Sequence, residues 1–305
     1  MDSTTPSDGE TDPFKLAEQK RWLDLARLGK EAWNTWATAE LKKPLKERVD
    51  VDLSDQEVDV SDFLGFIFPA NANFSRAKFS SKVIFVKAQF AADAFFRETV
   101  FSDDAYFFYT IFEAESYFTD AEFSGDAFFS WATFSSGTSF RDANFLANID
   151  FAGAVMKSVW QMGGARLAGS LSARSMAIQG HVYFTGIAFR TPPDLISTAF
   201  AEPPSFLGST FNYPCSNRFW GKCSVADGEA RFRRMKQLAA DTHDHELELR
   251  LFALETKAKR FHTLKLANPL HWPGLVLNFG YGWVSDFGQS VLRPLGWLMV
   301  TILFA

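Results

Sequence analysis

Phenylalanine recurs along this chain at steps that alternate between five and six residues. Starting at Phe63, the first 17 positions of the series, through Phe151, are all phenylalanine. The same count continues to Phe211 through 11 further positions, five of which are phenylalanine. A fixed internal period of this kind is typical of a solenoid, in which each coil of chain packs on the next.

A second column of small residues supports the same frame. Two residues before each phenylalanine stands a small or β-branched residue, and ten of the 16 such positions from Ala72 to Ala154 are alanine. Two inward positions separated by one outward residue match a strand, because side chains along a strand alternate between its faces. The pattern therefore predicts short β-strands, with the phenylalanines as core rather than as a binding surface.

Several stretches resemble the pentapeptide-repeat family in its phenylalanine-centred form, among them Ala-Asn-Phe-Ser-Arg at 72–76 and Ala-Glu-Phe-Ser-Gly at 121–125. The resemblance implies a right-handed quadrilateral β-helix with one repeat per face and four faces per coil. The period departs from the usual strict five, since the alternating steps give about 22 positions per coil. We infer that every second corner is one residue wider, and that the rod has about seven coils.

The flanking segments predict helices, so the fold class is mainly β with α-helices at both ends. Apolar residues at helical spacing predict one helix from Phe14 to about Leu41, begun by Asp12 and Pro13. Its tryptophans are expected to close the open end of the solenoid: Trp22, Trp33 and Trp36. Further helices are predicted from Ala226 to about Ala240 and from Glu246 to His262.

These patterns divide the chain into five parts. We expect a disordered N-terminus at 1–12, a helix and linker at 13–50, the β-helix at 51–213, a helical module at 214–268 and a hydrophobic tail at 269–305. Residues 295–305 carry no charge and are about half of the ~20 residues that span a bilayer. The run from Asp286 to Pro294 resembles the lead-in to transmembrane segments in membrane-attached family members. The tail therefore predicts membrane association, as a chain that stops partway into its first span; a buried or amphipathic tail is the alternative.

Charge and composition limit the functions and the cellular location that the sequence allows. The formal net charge of −5 argues against direct nucleic-acid binding. The polar N-terminus lacks the apolar segment of a signal peptide, and Arg293 on the flank of the tail favours a cytoplasmic rod at the inner face of a bacterial membrane. Two cysteines, Cys215 and Cys223, are too few for a zinc site, and His243 and His245 are interpreted as a solvated turn rather than a metal site. We find no catalytic motif, and we predict a non-enzymatic protein without cofactor or metal.

Acidic residues stand out on the predicted surface. Between Asp93 and Asp126 the chain carries nine acids and one base, Arg97. Acids one coil apart along the chain should stack on successive coils, where like charges oppose each other. The candidate partner-binding columns are Asp93 with Glu115, Asp104 with Asp126, and Glu98 with Asp120 and Asp142. Arg76 and Lys82 precede two of these columns, so each is expected to begin with an opposite-charge pair. A solvated surface without function is the alternative.

Three functions remain open. The first is a rigid scaffold or protein-interaction rod, tied to the membrane by its tail, with an unidentified protein partner; a second copy of the chain is a further candidate partner. The second is mimicry of DNA, because some pentapeptide-repeat proteins resemble B-form DNA in shape and charge and occupy type II topoisomerases. The third is a cytoplasmic regulatory domain of a channel-like membrane protein.

Overall fold

The computed structural model describes residues 12–212, 227–262 and 272–285, together with residues 293–295 and 297. Residues 51–211 form a parallel β-solenoid of about seven coils, built from 26 strands of two residues each. From residue 67 to residue 189, successive strands lie on successive faces, so that four faces complete one coil. The predicted four-sided β-helix is confirmed.

Faces 1 and 2 meet at the tight corners described below. Face 1 contains seven strands: β1 (Val51–Asp52), β3 (Ala72–Asn73), β7 (Ala94–Phe95), β11 (Ser116–Tyr117), β15 (Thr138–Ser139), β19 (Trp160–Gln161) and β23 (Val182–Tyr183). Face 2 contains five strands: β4 (Lys78–Phe79), β8 (Val100–Phe101), β12 (Glu122–Phe123), β16 (Asn144–Phe145) and β20 (Arg166–Leu167). A separate pair continues the frame of face 2: β24 (Ala188–Phe189) and β26 (Thr210–Phe211).

Faces 3 and 4 complete the coil. Face 3 contains five strands: β5 (Val83–Ile84), β9 (Ala105–Tyr106), β13 (Ala127–Phe128), β17 (Ile149–Asp150) and β21 (Leu171–Ser172). Face 4 contains seven strands: β2 (Ile67–Phe68), β6 (Gln89–Phe90), β10 (Ile111–Phe112), β14 (Thr133–Phe134), β18 (Val155–Met156), β22 (Ala177–Ile178) and β25 (Ala199–Phe200).

The register between coils follows the period of the sequence. Glu122 pairs with Val100 on one side and with Asn144 on the other, so each residue lies beside those 22 positions away. The first pairing is one residue shorter, because Val51 pairs with Ala72. One coil length therefore holds along the rest of the rod, as the alternating steps of five and six predicted.

The core is a set of stacked aromatic rings. Every phenylalanine of the series from Phe63 to Phe151 is buried. Rings one coil apart lie almost parallel; the centroid of Phe118 is 4.8 Å from that of Phe96 and 4.7 Å from that of Phe140. The alanines two residues before the rings are buried beside them, as at Ala121. The core therefore depends on contacts between coils, since no single coil can bury its own rings.

Two kinds of corner alternate around each coil. The five-residue step makes a tight turn, in which the Ala77 N–H donates to the Phe74 carbonyl at 3.0 Å and the second of the two residues between them, Arg76, has φ +56°. Such left-handed residues recur every 11 positions from Gly65 to Gly208, with φ between +54° and +74°. The six-residue step makes a wider corner without a left-handed residue. The inferred difference in corner width is therefore real, and it is set by backbone conformation as well as by length.

The N-terminal segment forms two helices rather than the single predicted one. These are α1 (Pro13–Arg27), begun by a hydrogen bond from the Phe14 N–H to Asp12 Oδ1 at 2.9 Å, and α2 (Lys30–Leu41). Gly29 between them has φ +87°, a conformation that no helix contains and that glycine adopts readily. A 3₁₀ helix at Leu45–Glu47 then leads to the first coil.

The helices α1 and α2 close one end of the solenoid. Trp22 and Trp33 are fully buried, and the Trp33 ring lies 5.2 Å from Phe66 and 5.4 Å from Phe68. Trp33 Nε1 donates to the Ile67 carbonyl at 2.8 Å. Trp22 and Trp33 therefore cap this end of the solenoid, as predicted, and Trp33 does so by hydrogen bonding as well as by packing.

Helices α3 (Gly228–Asp241) and α4 (His245–His262) pack together near the other end, within one or two residues of the predicted limits. Arg231 Nη1 donates to the Pro192 carbonyl at 3.1 Å, and Arg234 Nη2 donates to the Thr198 carbonyl at 2.9 Å. These two arginines attach α3 to the last coils.

The predicted hydrophobic tail is described only in part. Helix α5 (Trp272–Ser285) exposes the apolar side chains of Val276, Leu277 and Trp283. Across the described residues, no helix has the length and hydropathy needed to cross a membrane. The uncharged run at 295–305 lies almost wholly outside the described residues, as do Cys215 and Cys223.

Candidate functional site

The seven predicted acids occupy two kinds of corner, and the corner decides what each carboxylate does. Glu98, Asp120 and Asp142 are left-handed residues of the tight corner between faces 1 and 2, with φ +54°, +56° and +56°. Their side chains are exposed. These three form one column along the rod, as their spacing predicted.

Asp93 and Glu115 lie in the wide corner between faces 4 and 1, where they bind backbone of the following coil. Asp93 Oδ1 accepts from the Glu115 N–H at 3.1 Å. Glu115 Oε1 in turn accepts from Ser136 Oγ at 2.6 Å and from the Gly137 N–H at 3.4 Å. These two carboxylates therefore satisfy corner amides that would otherwise lack a partner, which is a structural task.

Asp104 and Asp126 do the same in the wide corner between faces 2 and 3. Asp104 Oδ1 accepts from the Asp126 N–H at 2.8 Å, and Asp126 Oδ1 accepts from the Asn148 N–H at 2.9 Å. Asn148 Oδ1 continues the series by accepting from the Ser170 N–H at 3.0 Å. The like charges of this column are thus held together by hydrogen bonds between coils.

Face 2 and its two corners carry six of the nine acids between Asp93 and Asp126. Glu98, Asp120 and Asp142 lie along one of its edges, and Asp104 and Asp126 lie along the other. Two acids outside the predicted columns also lie here, since Asp103 lies beside Asp104 and Glu122 lies on the outer side of β12. We call this set the acidic face: Glu98, Asp103, Asp104, Asp120, Glu122, Asp126 and Asp142.

Glu122 belongs to no predicted column of acids because its ladder partners, Val100 and Asn144, carry no charge. Its position one residue before a core phenylalanine is an outward one, and that signal was present in the sequence. Further along the same outward row stand Lys78 and Arg166, two ladder steps from Glu122 in either direction. Positive charge therefore brackets the acidic face along the rod, at roughly 10 Å from its centre.

The expected opposite-charge pair of Arg76 with Glu98 is not the one formed. Arg76 Nε donates to Asp55 Oδ1 at 2.6 Å, in the preceding coil. The hydrogen bond from Arg76 lowers the pKa of Asp55 to about 2, with Lys15 contributing in the same direction. For Lys82 and Asp104, no ion pair within 4 Å joins the two side chains, both of which are described. The columns therefore do not begin with the predicted pairs.

An aromatic face adjoins the acidic face across the wide corner. On the outside of face 3 the ring centroids of Tyr106 and Phe128 lie 5.1 Å apart, and those of Phe108 and Phe128 lie 5.3 Å apart. At the next tight corner Tyr109 and Trp131 stack at 6.4 Å, with 51% and 57% of their surface exposed. The aromatic face is defined as Tyr106, Phe108, Tyr109, Phe128 and Trp131.

The aromatic face was not predicted from the sequence, because phenylalanine was interpreted there only as a core residue. The distinguishing signal is position, since these residues fall outside the inward columns. Hydrogen bonding links the two faces: Tyr106 Oη donates to Asp104 Oδ2 at 2.9 Å, and this bond is the main cause that raises the pKa of Tyr106. The phenol therefore stays protonated beside the carboxylates.

Within the described part of the chain, no group of three histidine, cysteine, aspartate or glutamate side chains is placed to hold a metal ion. His243 lies in the turn between α3 and α4, and His245 is the first residue of α4.

No family model, no curated protein and no solved structure matches this chain. The geometry of the acidic and aromatic faces is therefore the basis for assigning a function.

The two kinds of acid predict different responses to neutralisation. We expect Asp120→Asn to be neutral or to raise the free energy of unfolding by a few tenths of a kcal/mol, more so at low salt, because it removes repulsion from Glu98 and Asp142 without disturbing the left-handed corner. Asp126→Asn, the matched control, should lower stability by about 0.5–1.5 kcal/mol, because it weakens the charge-assisted bonds to Asn148. Urea denaturation at two salt concentrations checks both. A loss of stability in Asp120→Asn that salt does not change would show that this carboxylate makes a structural bond.

Proposed function

We propose that this protein is a non-enzymatic interaction rod that binds a basic protein surface through its acidic face and the adjoining aromatic face. The observation that supports this most directly is the concentration of seven carboxylates on one face of a rigid solenoid. A rigid array attracts an oppositely charged partner over a distance of about one Debye length, ~8 Å at physiological salt, without the entropic cost of ordering a loop.

The aromatic face adds contact area, which charge alone does not provide. Exposed tyrosine and tryptophan rings provide large contact areas at little cost in side-chain entropy, and both residue types are enriched among residues that dominate binding. A lysine or arginine of the partner can also lie against the ring of Trp131 or Tyr109 by a cation–π contact. The acidic face then sets the rate of association, and the aromatic face sets the lifetime of the complex.

A matched pair of triple variants tests this. The probe is an arginine-rich helical peptide immobilised on a biosensor surface, with a glutamate-rich peptide as negative control. In the first variant Glu98→Gln, Asp120→Asn and Glu122→Gln neutralise the acidic face. In the second, the same number of charges is removed from the end of α3 and the first turn of α4 through Asp241→Asn, Glu246→Gln and Glu248→Gln.

We expect the first variant to reduce the association rate by about tenfold or more at low salt, and the second to leave it within about twofold. The wild-type rate should fall steeply with salt. Equal losses in both variants would mean that net charge alone governs binding, and no salt dependence would contradict an electrostatic surface.

Mimicry of DNA is a second candidate, because the acidic face follows one side of a rod. Its partner would be a DNA-binding enzyme such as a type II topoisomerase. The same two triple variants, added to a topoisomerase supercoiling assay, separate this candidate from a general scaffold: mimicry requires that the wild type inhibits and that only the acidic-face variant fails to inhibit. Attachment to a membrane through the C-terminal segment remains part of the proposal, supported by the apolar side chains that α5 exposes.

A further inference from the structure

Face 1 carries a groove that shares only Asp142 with the acidic face and no residue with the aromatic face. The outward residues of this face form one row on successive strands, in the order Phe95, Tyr117, Ser139, Gln161 and Tyr183. Two adjoining hollows of about 650 and 450 Å³ lie along this row and share Arg141, Asp142 and Gln161 as lining residues. Each has the size of a small-molecule site, roughly 300–1,000 Å³.

The groove exists because an aromatic stack stops at its edge. The ring centroids of Phe95 and Tyr117 lie 5.3 Å apart, with 4° between the ring planes. Because the two residues lie on successive coils, both ring planes are roughly perpendicular to the rod axis. Ser139 occupies the next position and is too short to cover Tyr117. One face of the Tyr117 ring is therefore turned toward the groove, which Tyr117 lines.

Tyr183 forms the opposite end of the groove. It lies three ladder steps from Tyr117, a distance of roughly 14 Å at about 4.8 Å per step, and 41% of its surface is exposed. Between the two tyrosines the floor consists of Ser139 and Gln161, with Gly163 beside them. Two aromatic walls thus enclose a polar floor of defined length.

The walls offer hydrogen-bond donors and acceptors in balance. Arg97 and Arg141 donate, while Glu115 and Asp142 accept, so the four charges cancel. The Arg97 guanidinium carbon lies 4.5 Å from the Tyr117 ring centroid, which holds this arginine at the groove's edge. Burial, followed by the nearby Glu115 and Asp93 carboxylates, raises the pKa of Tyr117, so its hydroxyl stays a donor.

We propose that this groove binds a short neutral oligosaccharide, with a sugar ring stacked on Tyr117 and hydroxyls bonded to Arg141, Asp142 and Gln161. A sugar hydroxyl both donates and accepts, which suits this mixture of groups, and the apolar face of a sugar ring suits an exposed aromatic face. A strongly anionic chain would meet Glu115 and Asp142, and a cationic one would meet the two arginines. The groove shares Asp142 with the acidic face, but the variants that test the two sites leave Asp142 unchanged, so either proposal can fail without the other.

The chain offers a variant that fills the groove without emptying the core. Ser139→Phe extends the stack of Phe95 and Tyr117 by one ring, at an outward strand position where an aromatic residue is well tolerated. The matched control is Thr133→Phe, at the equivalent outward position of face 4, outside the groove. Gln161→Ala provides a second groove variant that removes a polar group and adds no bulk.

The experiment is a calorimetric titration of the wild type and the three variants with maltotriose, cellotriose, triacetylchitotriose and, as an acidic probe, trigalacturonate. We expect at least one neutral trisaccharide to bind, Ser139→Phe and Gln161→Ala each to weaken it by about tenfold or more, and Thr133→Phe to leave it unchanged. A thermal melt of each variant checks that it is folded. If Ser139→Phe does not fold, the affinity of Gln161→Ala for the trisaccharide decides whether the groove binds it.

Three results overturn the proposal: no neutral trisaccharide binds, only trigalacturonate binds, or Thr133→Phe weakens binding as much as Ser139→Phe. The acidic-face triple variant used above should bind the trisaccharide as the wild type does. This keeps the failure of the groove distinguishable from the failure of the interaction surface.

Discussion

Phe118→Ala is expected to lower the free energy of unfolding by about 3–5 kcal/mol. Phe118 is fully buried between the parallel rings of Phe96 and Phe140, and it also meets Phe107 and Phe129 edge-on, at 5.6 and 5.4 Å between centroids. Neighbouring coils cannot collapse into the space, because the backbone ladders on four faces hold them at a fixed separation. Urea denaturation followed by circular dichroism measures the loss.

The matched control removes a ring from the outside of the same solenoid. Phe128→Ala deletes a side chain that stacks only on the outer surface, 5.1 Å from Tyr106, so we expect a loss of at most about 1 kcal/mol. A similar loss in both variants would mean that the inward and outward positions have been assigned wrongly. Because each coil contacts only its neighbours, the core variant should weaken the middle of the rod most.

Trp33→Ala is expected to have an effect of similar size, about 3–5 kcal/mol, at the N-terminal end. The Trp33 ring contacts Trp22, Trp36, Phe66 and Phe68, and its Nε1 saturates the Ile67 carbonyl. Loss of the ring loosens α2 from the first coil and uncovers strand edges that can pair with another molecule. Sedimentation should therefore show association that rises with protein concentration, beside the loss of stability in denaturation.

Trp33→Phe separates packing from hydrogen bonding at the same position. It keeps an aromatic ring but leaves the Ile67 carbonyl without its donor, so we expect a cost of about 1–3 kcal/mol and no association. If Trp33→Phe associates as readily as Trp33→Ala, then the hydrogen bond rather than the ring keeps the cap in place.

The two proposed surfaces share a physical origin in the solenoid. Each coil presents one outward residue per face, and the same register repeats from coil to coil, so substitutions in successive coils build a continuous row. The corners beside face 2 repeat in the same register and collect carboxylates, face 3 and its tight corner collect aromatic rings, and face 1 interrupts a row of rings with Ser139 and so makes a groove. A small change in composition therefore becomes a surface several coils long.

Several elements were predictable from local pattern alone. The spacing of Phe63 to Phe151 predicted the coil length and the core, because which side of a strand a residue faces is decided by its immediate neighbours. The spacing of apolar residues also predicted α3 and α4. It failed between Arg27 and Lys30, where the apolar pattern runs on but Gly29 adopts φ +87° and divides the helix. The division into parts beyond residue 212 stays a prediction.

By itself, the sequence determined the period, the inward residues and the columns of acids, since these follow from counting along one chain. The tertiary structure alone decided what each acid does. Asp120 and Asp126 are the same residue type in the same kind of column, yet one lies exposed in a left-handed corner and the other accepts two hydrogen bonds from Asn148. That difference depends on where the next coil places its N–H groups. In the same way, only the stacking of coils shows that Ser139 leaves one face of the Tyr117 ring uncovered. The two residues are 22 positions apart in the sequence and become neighbours when the rod forms.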